Sequence, residues 1–229
     1  MSFTKKLQYL LVKKLQVSNN EAKILIIEEK VFVNTVKVRT NIVIKETDKV
    51  ELAHRIVQEG KELIYVALNK PRGIESTLST KIPNNLTEFI QFNLKLFPVG
   101  RLDKDSEGLI LLTNDGYFFN KTINPENEIE KEYLVTVNKL ITSEFIKDMG
   151  RGVQILGKTT FPCFVEKIDD FTFKIVLIQG LNRQIRRMCY QLNYMVTSLK
   201  RLRIGNVLLK DLPLGKTREI TKQELFFRK

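Results

Sequence analysis

The sequence is poor in the side chains on which many enzymes depend. Its 229 residues include one histidine, His54, two cysteines, Cys163 and Cys189, and no tryptophan. A zinc site of ordinary spacing needs several His or Cys ligands, and Ser-His-Asp triads and Cys-His dyads need a histidine beside the nucleophile. We therefore expect no metal site, and any catalysis must depend on carboxylate, Tyr, Lys or Arg side chains.

Long apolar runs are lacking as well. No stretch approaches the roughly 20 apolar residues that a membrane-spanning helix needs. The first 17 residues, MSFTKKLQYLLVKKLQV, interrupt their longest apolar patch with Lys13 and Lys14, which is not the pattern of a signal peptide. Two cysteines without an export signal indicate reduced thiols. We expect a cytoplasmic protein that makes no membrane contact.

Acidic residues are missing from one long segment. The formal net charge is +12, and residues 171–210 carry no Asp or Glu. The basic residues of that segment are Lys174, Arg183, Arg186, Arg187, Lys200, Arg201, Arg203 and Lys210. A solvated face usually mixes both signs, whereas a local excess of one sign is typical of a surface that binds a polyanion. The segment therefore predicts a contact with nucleic acid.

The pattern along the chain predicts two domains, at residues 1–60 and 61–229. The first has leucines at helical spacing, a capping box at Ser18 and Glu21 that opens a second helix, and short β-like pieces. The polar residues 55–62 are predicted to be the linker. Beyond them, strands are expected near 63–68, 131–137 and 171–177, and helices near 86–93, 117–123 and 142–149. This interleaving, with no regular βαβ rhythm and no Gly-rich nucleotide loop, favours an α+β fold with a mixed or antiparallel sheet.

The stretch 98–116, PVGRLDKDSEGLILLTNDG, begins like a calcium-binding EF-hand loop. Such a loop starting at Asp103 needs a bidentate Glu at its twelfth position, where this chain has Asn114. The apolar run 109–112, closed by a turn, predicts a buried strand instead of a flanking helix. The acidic residues could also form a mere solvated connection, but two glycines bracket a tight loop that can hold one carboxylate rigidly.

A basic helix is predicted after residue 180, with Asn182 as its cap. At 100° per residue, Ile185, Met188 and Cys189 lie on one face, and the arginines lie with Tyr190 on the other. Arginines beside an aromatic ring form a surface suited to RNA or DNA phosphates, although an ordinary solvated charged face would have the same pattern.

Five motifs in this order resemble the RsuA/RluB/RluE/RluF family of pseudouridine synthases. They are residues 69–73 (NKPRG), 100–103 (GRLD), 108–116 (GLILLTNDG), 131–133 (KEY) and 180–188 (GLNRQIRRM). The resemblance covers essentially the whole chain and is strongest to the RluF branch, which modifies 23S ribosomal RNA. The N-terminal stretch resembles the small RNA-binding domain named for ribosomal protein S4. Asn19 and Asn20 stand where that domain normally carries arginines, and a generic α+β module remains an alternative.

The resemblance implies an isomerase that converts a uridine of ribosomal RNA, most simply 23S RNA, to pseudouridine without a cofactor. Asp103 would be the catalytic carboxylate, Tyr133 would stack on the extracted uracil, and Arg186 would pair with Asp103. Ile185 would pack under the base. The residues expected to contact RNA are Lys70, Arg72, Arg101, Arg183, Arg187, Lys200, Arg201 and Arg203. The partner would be ribosomal RNA, naked or within an assembling large subunit, and the enzyme would be a monomer.

Two hypotheses of another class remain open. One is a non-catalytic RNA-binding factor for ribosome assembly on the same scaffold, although the presence of Asp103, Tyr133 and Arg186 argues against it. The other is a DNA-binding protein, although no helix-turn-helix pattern is recognisable.

Overall fold

The computed structural model describes residues 6–90, 95–221 and 223–225. It divides into two compact units, Met1–Leu63 and Ile64–Lys229. Within the described ranges, no helix is long and apolar enough to cross a membrane.

The first unit contains two helices and a small antiparallel sheet. Its elements are α1 (Leu7–Leu15), α2 (Asn19–Ile27), β1 (Val31–Val33), β2 (Val36–Lys37), β3 (Val50–Leu52) and β4 (Arg55–Gln58). The strands lie in the order β2-β1-β3-β4, and buried aliphatic side chains of both helices and the sheet form one core.

Local sequence explains where α2 begins and why one prediction for this unit is wrong. The Ser18 hydroxyl accepts from the backbone N–H of Glu21, and the Glu21 carboxylate accepts from the Ser18 N–H, which is the predicted capping box. Residues 55–58, predicted to lie in a linker, form β4 instead. They pair with β3, and Val57 is buried in the core. This mostly polar stretch forms a strand because it pairs with β3 and buries Val57, and sequence propensity does not capture either contact.

The second unit contains the remaining helices and strands. In chain order they are β5 (Tyr65–Lys70), β6 (Phe97–Pro98), β7 (Glu107–Thr113), α3 (Gly116–Ile123), β8 (Lys131–Val137), α4 (Ser143–Arg151), β9 (Gln154–Ile155), β10 (Lys158–Thr159), β11 (Phe164–Lys167), β12 (Thr172–Leu177), α5 (Gln184–Gln191), β13 (Val196–Ile204), β14 (Val207–Leu208) and β15 (Thr217–Glu219). In place of the helix predicted near 86–93 there is a 3-10 turn at Leu86–Phe89, and residues 91–94 lie outside the described residues.

One large sheet organises this unit and confirms the predicted mixed α+β architecture. Among the described residues it runs β11-β12-β8-β13-β7-β5-β15, with β14 added to β13 and β6 added to β7. The β13–β7 pair is parallel, and the other pairs are antiparallel. Strands β9 and β10 form a separate hairpin.

Strand β7 lies inside this sheet and is buried on both faces. Leu109 and Leu111 pack into one hydrophobic cluster, and Ile110 and Leu112 pack into another on the opposite face. All four side chains are fully buried. A strand covered on both faces has no polar side to expose, which is why its sequence is a continuous apolar run without alternation. The predicted buried strand is therefore confirmed.

The parallel β13–β7 pair brings two distant segments of the chain together. Because parallel strands begin at the same edge of a sheet, the loop before β7 and helix α5 before β13 meet there. The approach is close at Gly108, which has φ +104°. A Cβ built on it would lie 2.4 Å from the carbonyl oxygen of Arg201 and 2.7 Å from its nitrogen. Only glycine fits at this position.

Candidate active site

The loop that precedes β7 is fixed by backbone and side-chain hydrogen bonds. The Val99 N–H donates to the Leu111 carbonyl at 2.8 Å, and the Gly73 N–H donates to the Lys104 carbonyl at 2.8 Å. The buried hydroxyl of Ser76 donates to the carbonyl of Leu102 at 2.5 Å and accepts from its N–H at 3.0 Å. The loop therefore holds the residue that follows Leu102 in a defined position.

That residue is Asp103, whose side chain is about one-third exposed. Nη1 of Arg183 lies 3.9 Å from the Asp103 carboxylate and 3.5 Å from that of Asp105. Among the described residues Arg183 is the cation within 4 Å of the Asp103 carboxylate, and the predicted partner Arg186 interacts with Asp103 through its charge at longer range. The resemblance implied that Arg186 lies beside Asp103, and the structure places Arg183, three positions earlier in the chain, nearer to it.

Arg186 instead binds the backbone of the same loop. Its Nη2 donates to the Asp105 carbonyl at 2.9 Å and to the Ser106 hydroxyl at 3.2 Å, and its Nη1 donates to the Val196 carbonyl at 3.3 Å. Burial, followed by the nearby charge of Arg183, lowers the pKa of Arg186 from its ordinary value, and the charge of Asp103 partly offsets this. The hydrogen bonds of Arg186 therefore connect α5, on which it lies, to the loop and to the start of β13.

Helix α5 begins in an unusual way. Arg183, the residue before its first turn, has φ +51°, in the left-handed region. The buried Gln184 side chain accepts from the Leu181 N–H at 3.0 Å. Asn182 does not cap the helix as predicted, because its carbonyl and its side-chain oxygen accept from Arg187. A glutamine side chain thus binds the backbone where the helix begins. The preference for Asn, Ser and Asp as helix caps could not identify Gln184.

The predicted apolar face of α5 is confirmed, since Ile185, Met188 and Cys189 are buried in the cluster beneath the helix. On the other face, Arg183, Arg187 and Tyr190 are exposed. Arg186 is not, because its contacts with the loop draw it partly into the protein.

Tyr133 lies on β8 at the edge of the same cluster and is 9% exposed. It is paired in register with Arg201 of β13, whose guanidinium carbon lies 6.0 Å from the centre of the Tyr133 ring. The Arg201 side chain also donates to the carbonyls of Leu109 and Arg101. Arg201 thereby connects the tyrosine, β7 and the loop that carries Asp103.

These side chains surround a cavity of about 100 Å³. It is far larger than the roughly 10–15 Å³ that one water needs and smaller than the ~300–1,000 Å³ of a pocket for a drug-sized ligand, so it suits a single flat ring. Its walls are partly apolar, from side chains such as Leu102 and Leu199. The predicted site residues that line it are Arg101, Asp103, Tyr133, Arg183, Ile185 and Arg186.

Three other basic residues are less exposed than predicted. Lys70 is fully buried, and its ammonium donates to the carbonyls of Pro71 and Ile74. Arg201 is 3% exposed. In this structure, therefore, neither of these two residues presents its charge on the surface where an RNA backbone would lie. Arg203 has a mostly buried side chain that forms ion pairs with Glu130 and Glu132, so its charge is neutralised within the protein.

Arg72 is exposed, and its charge contributes to lowering the pKa of Arg186, which places it near the site. Lys200 is half-buried on β13. Arg187 lies outside the first cavity and lines a second one beside it. Sequence reasoning missed Ser76 and Gln184, which shape the site through hydrogen bonds to the backbone. Ser76 lies outside the five motifs, and Gln184 lies inside the motif 180–188 but was given no role, because no local pattern indicates which backbone group a side chain will bind.

The calcium interpretation is excluded by the geometry. The segment that would be the second half of an EF-hand loop is strand β7. In the parts of the chain that the structure describes, no three His, Cys, Asp or Glu side chains are gathered as a metal site would require.

Known proteins with similar sequences share one activity in their names. Residues 64–191 match the model of the RNA pseudouridylate synthase family. A dual-specificity RNA pseudouridine synthase RluF of Salmonella typhi is 47% identical over 210 residues, which cover 91% of this chain and 73% of the relative. The ribosomal large subunit pseudouridine synthase B of Bacillus subtilis is 34% identical over 218 residues, which cover 91% of this chain and 88% of the relative.

A solved structure shares the fold as well. It is a crystal structure of a pseudouridylate synthase that superposes with a TM-score of 0.69 at 28% sequence identity. The match covers 96% of this chain and 98% of that one.

Proposed function

Because this chain belongs to the RNA pseudouridylate synthase family, we propose that it converts a specific uridine of ribosomal RNA to pseudouridine. The target we propose is 23S RNA of the large subunit, naked or within an assembling particle, and the enzyme acts as a monomer. The names of the similar proteins, one of them a large-subunit synthase, support this choice of RNA.

The reaction is an internal rearrangement. The bond between N1 of uracil and C1′ of the ribose breaks, a bond between C5 and C1′ forms, C5 loses its proton and N1 gains one. Atoms and electrons balance, so the reaction needs no oxidant, reductant or further reactant. A carboxylate that acts on the ribose carbon or on the base is sufficient to start it.

A single observation carries this proposal: Asp103, Tyr133 and Arg186 come from three distant segments and line one cavity. Asp103 supplies the carboxylate. Tyr133 presents its ring to the uracil and accepts or relays the C5 proton. Arg186 holds the loop in place, and Arg183 provides the nearest positive charge to Asp103.

The uridine must leave its stack to enter so small a cavity. Unstacking costs a few kcal/mol and is cheapest in loops, bulges and weak helices. The exposed arginines of α5 and the N-terminal unit supply the sequence-independent grip that offsets this cost. Lys23, Lys30 and Lys37 are the basic residues that we assign to RNA binding in the N-terminal unit.

Exchange of the Asp103 carboxylate for an amide tests the proposal. Asp103→Asn should abolish the release of tritium from C5 of [5-³H]uridine in a 23S transcript while RNA binding persists. Asp105→Asn is the matched control, because it lies in the same loop, is more exposed and also faces Arg183. Full activity of Asp103→Asn would refute the assigned role of Asp103.

Pseudouridine mapping in a deletion strain tests the activity itself. Loss of pseudouridine at one position of 23S RNA is expected. An unchanged profile would instead support the alternative of a non-catalytic assembly factor.

A further inference from the structure

A second cavity opens on the outer side of α5, beside the one that holds Asp103. Its volume is about 430 Å³, and its walls are α5 and the β9–β10 hairpin. Arg183 and Arg186 line both cavities. The two cavities are therefore neighbours that share the guanidinium groups of Arg183 and Arg186.

Two large apolar side chains stand exposed on opposite walls of this second cavity. Leu156, at the tip of the hairpin with φ +50°, is 55% exposed. Tyr190, on α5, is 74% exposed. The core of the protein does not use either side chain, and an exposed ring beside an exposed aliphatic group offers flat apolar contact for a base.

The charge of the cavity favours an anion. Arg183, Arg186 and Arg187 contribute to its lining, and none of the described residues that line it is acidic. The plane of the Arg187 guanidinium is fixed by hydrogen bonds from Nε to the Asn182 carbonyl at 3.1 Å and from Nη2 to the Asn182 side chain at 3.3 Å. An arginine that is already oriented loses less side-chain entropy when it binds a phosphate.

We infer that the second cavity binds a nucleotide adjacent to the target uridine, with its base against Tyr190 and Leu156 and its phosphate on the arginines. This inference rests on the proposed function, since it assumes that an RNA strand delivers a uridine to Asp103. A volume of about 430 Å³ lies at the lower end of the range for organic ligands and suits one nucleotide. The cavity thus helps to determine which uridine is chosen by holding its neighbour.

Substitution of Tyr190 tests the stacking contact. Tyr190→Ala should raise Kd and KM for a 23S transcript about tenfold and leave kcat unchanged, because base–aromatic stacking has roughly that worth. Tyr190→Phe should bind like the wild type. Tyr117→Ala is the matched control, since Tyr117 is 78% exposed on α3 and lines neither cavity.

An abasic scan locates the nucleotide. Short RNAs that contain the mapped uridine carry an abasic residue at each flanking position in turn. At one position the loss should raise the Kd of the wild type about tenfold and leave that of Tyr190→Ala unchanged. If the abasic residue raises the Kd of Tyr190→Ala as much as that of the wild type at every position, the inference is overturned. It is also overturned if Tyr190→Ala binds RNA as tightly as Tyr117→Ala does.

The two proposals fail in different ways. Absence of tritium release from the wild-type protein would refute the proposed function. The Kd values of the Tyr190 and Tyr117 variants relative to the wild type test whether the second cavity binds a nucleotide, and they do so whether or not the uridine is converted.

Discussion

Replacement of Gly108 by alanine should destabilise the second unit more than the same replacement at any other glycine of the site. Two costs add at this position. A residue with a side chain at φ +104° costs about 1–2 kcal/mol. The new Cβ would also lie 2.4 Å from the backbone oxygen of Arg201, so β13 must shift, and overpacking of this kind costs about 1–3 kcal/mol. We expect a total loss of about 2–5 kcal/mol.

Two other glycines separate these costs. Gly73 has φ +89° with no atom within 4 Å of a built Cβ, so Gly73→Ala should lose only the conformational part, about 1–2 kcal/mol. Gly116 has an equally open site, no positive φ and a place in the first turn of α3, so Gly116→Ala should lose nothing.

Differential scanning calorimetry of the three variants measures the difference. For a unit of this size, about 2–4 °C of Tm corresponds to 1 kcal/mol, so Gly108→Ala should melt roughly 4–20 °C below the wild type. Because Arg201 also holds the Arg101 carbonyl, kcat should fall as well. A Gly108→Ala protein that melts together with Gly73→Ala would refute the close approach of β13 to β7.

Lys70 and the basic surface allow two more predictions. Burial, and then the charge of Arg201, lower the pKa of Lys70 to about 8 in the folded state, whereas the unfolded chain keeps that proton up to about pH 10.5. The unfolded state therefore binds more protons than the folded state between about pH 8 and 10, so the free energy of unfolding should rise with pH in this range. In urea unfolding, the wild type should gain up to about 1.4 kcal/mol per pH unit relative to Lys70→Met. A difference between the two proteins that does not change with pH would contradict this. In salt titrations of RNA binding, Arg187→Ala should reduce the slope of log Kd against log salt by about 0.7, and Arg203→Ala, which removes a charge already paired with two glutamates, should leave it unchanged. Equal slopes for the two variants would contradict the conclusion that Arg187 is available to bind RNA phosphates and that the charge of Arg203 is neutralised by glutamates.

The arrangement of the site explains how a small loop can position one carboxylate. Ser76 fixes the residue before Asp103, Arg186 fixes the two residues after Lys104, and Arg201 fixes the carbonyl of Arg101. A carboxylate held from both sides would lose little entropy in the reaction proposed for Asp103. The Ser76 hydroxyl and the Arg201 side chain are buried, where competing water weakens hydrogen bonds less.

Much of this protein follows from periodicity and local chemistry. The apolar run of β7, the capping box at Ser18 and the buried face of α5 depend on burial and hydrogen bonding within a few residues of the chain. The position of Asp103 between two glycines, directly before a buried strand, likewise indicated a rigid loop. For these features the sequence alone was sufficient, because neighbours along the chain determine them.

Tertiary structure alone decided which charges face solvent and which partner each one has. Lys70, Arg201 and Arg203 are indistinguishable in sequence from cations that bind phosphate. Backbone carbonyls nevertheless hold Lys70 and Arg201 inside the protein, and Glu130 and Glu132 pair with the partly exposed Arg203. The choice of Arg183 over Arg186 beside Asp103 depends on a helix start with a left-handed residue and on the parallel pairing of β13 with β7. These contacts join segments that lie about 80 to 100 residues apart. No local pattern encodes such contacts, because their energies depend on burial and distance in the folded chain.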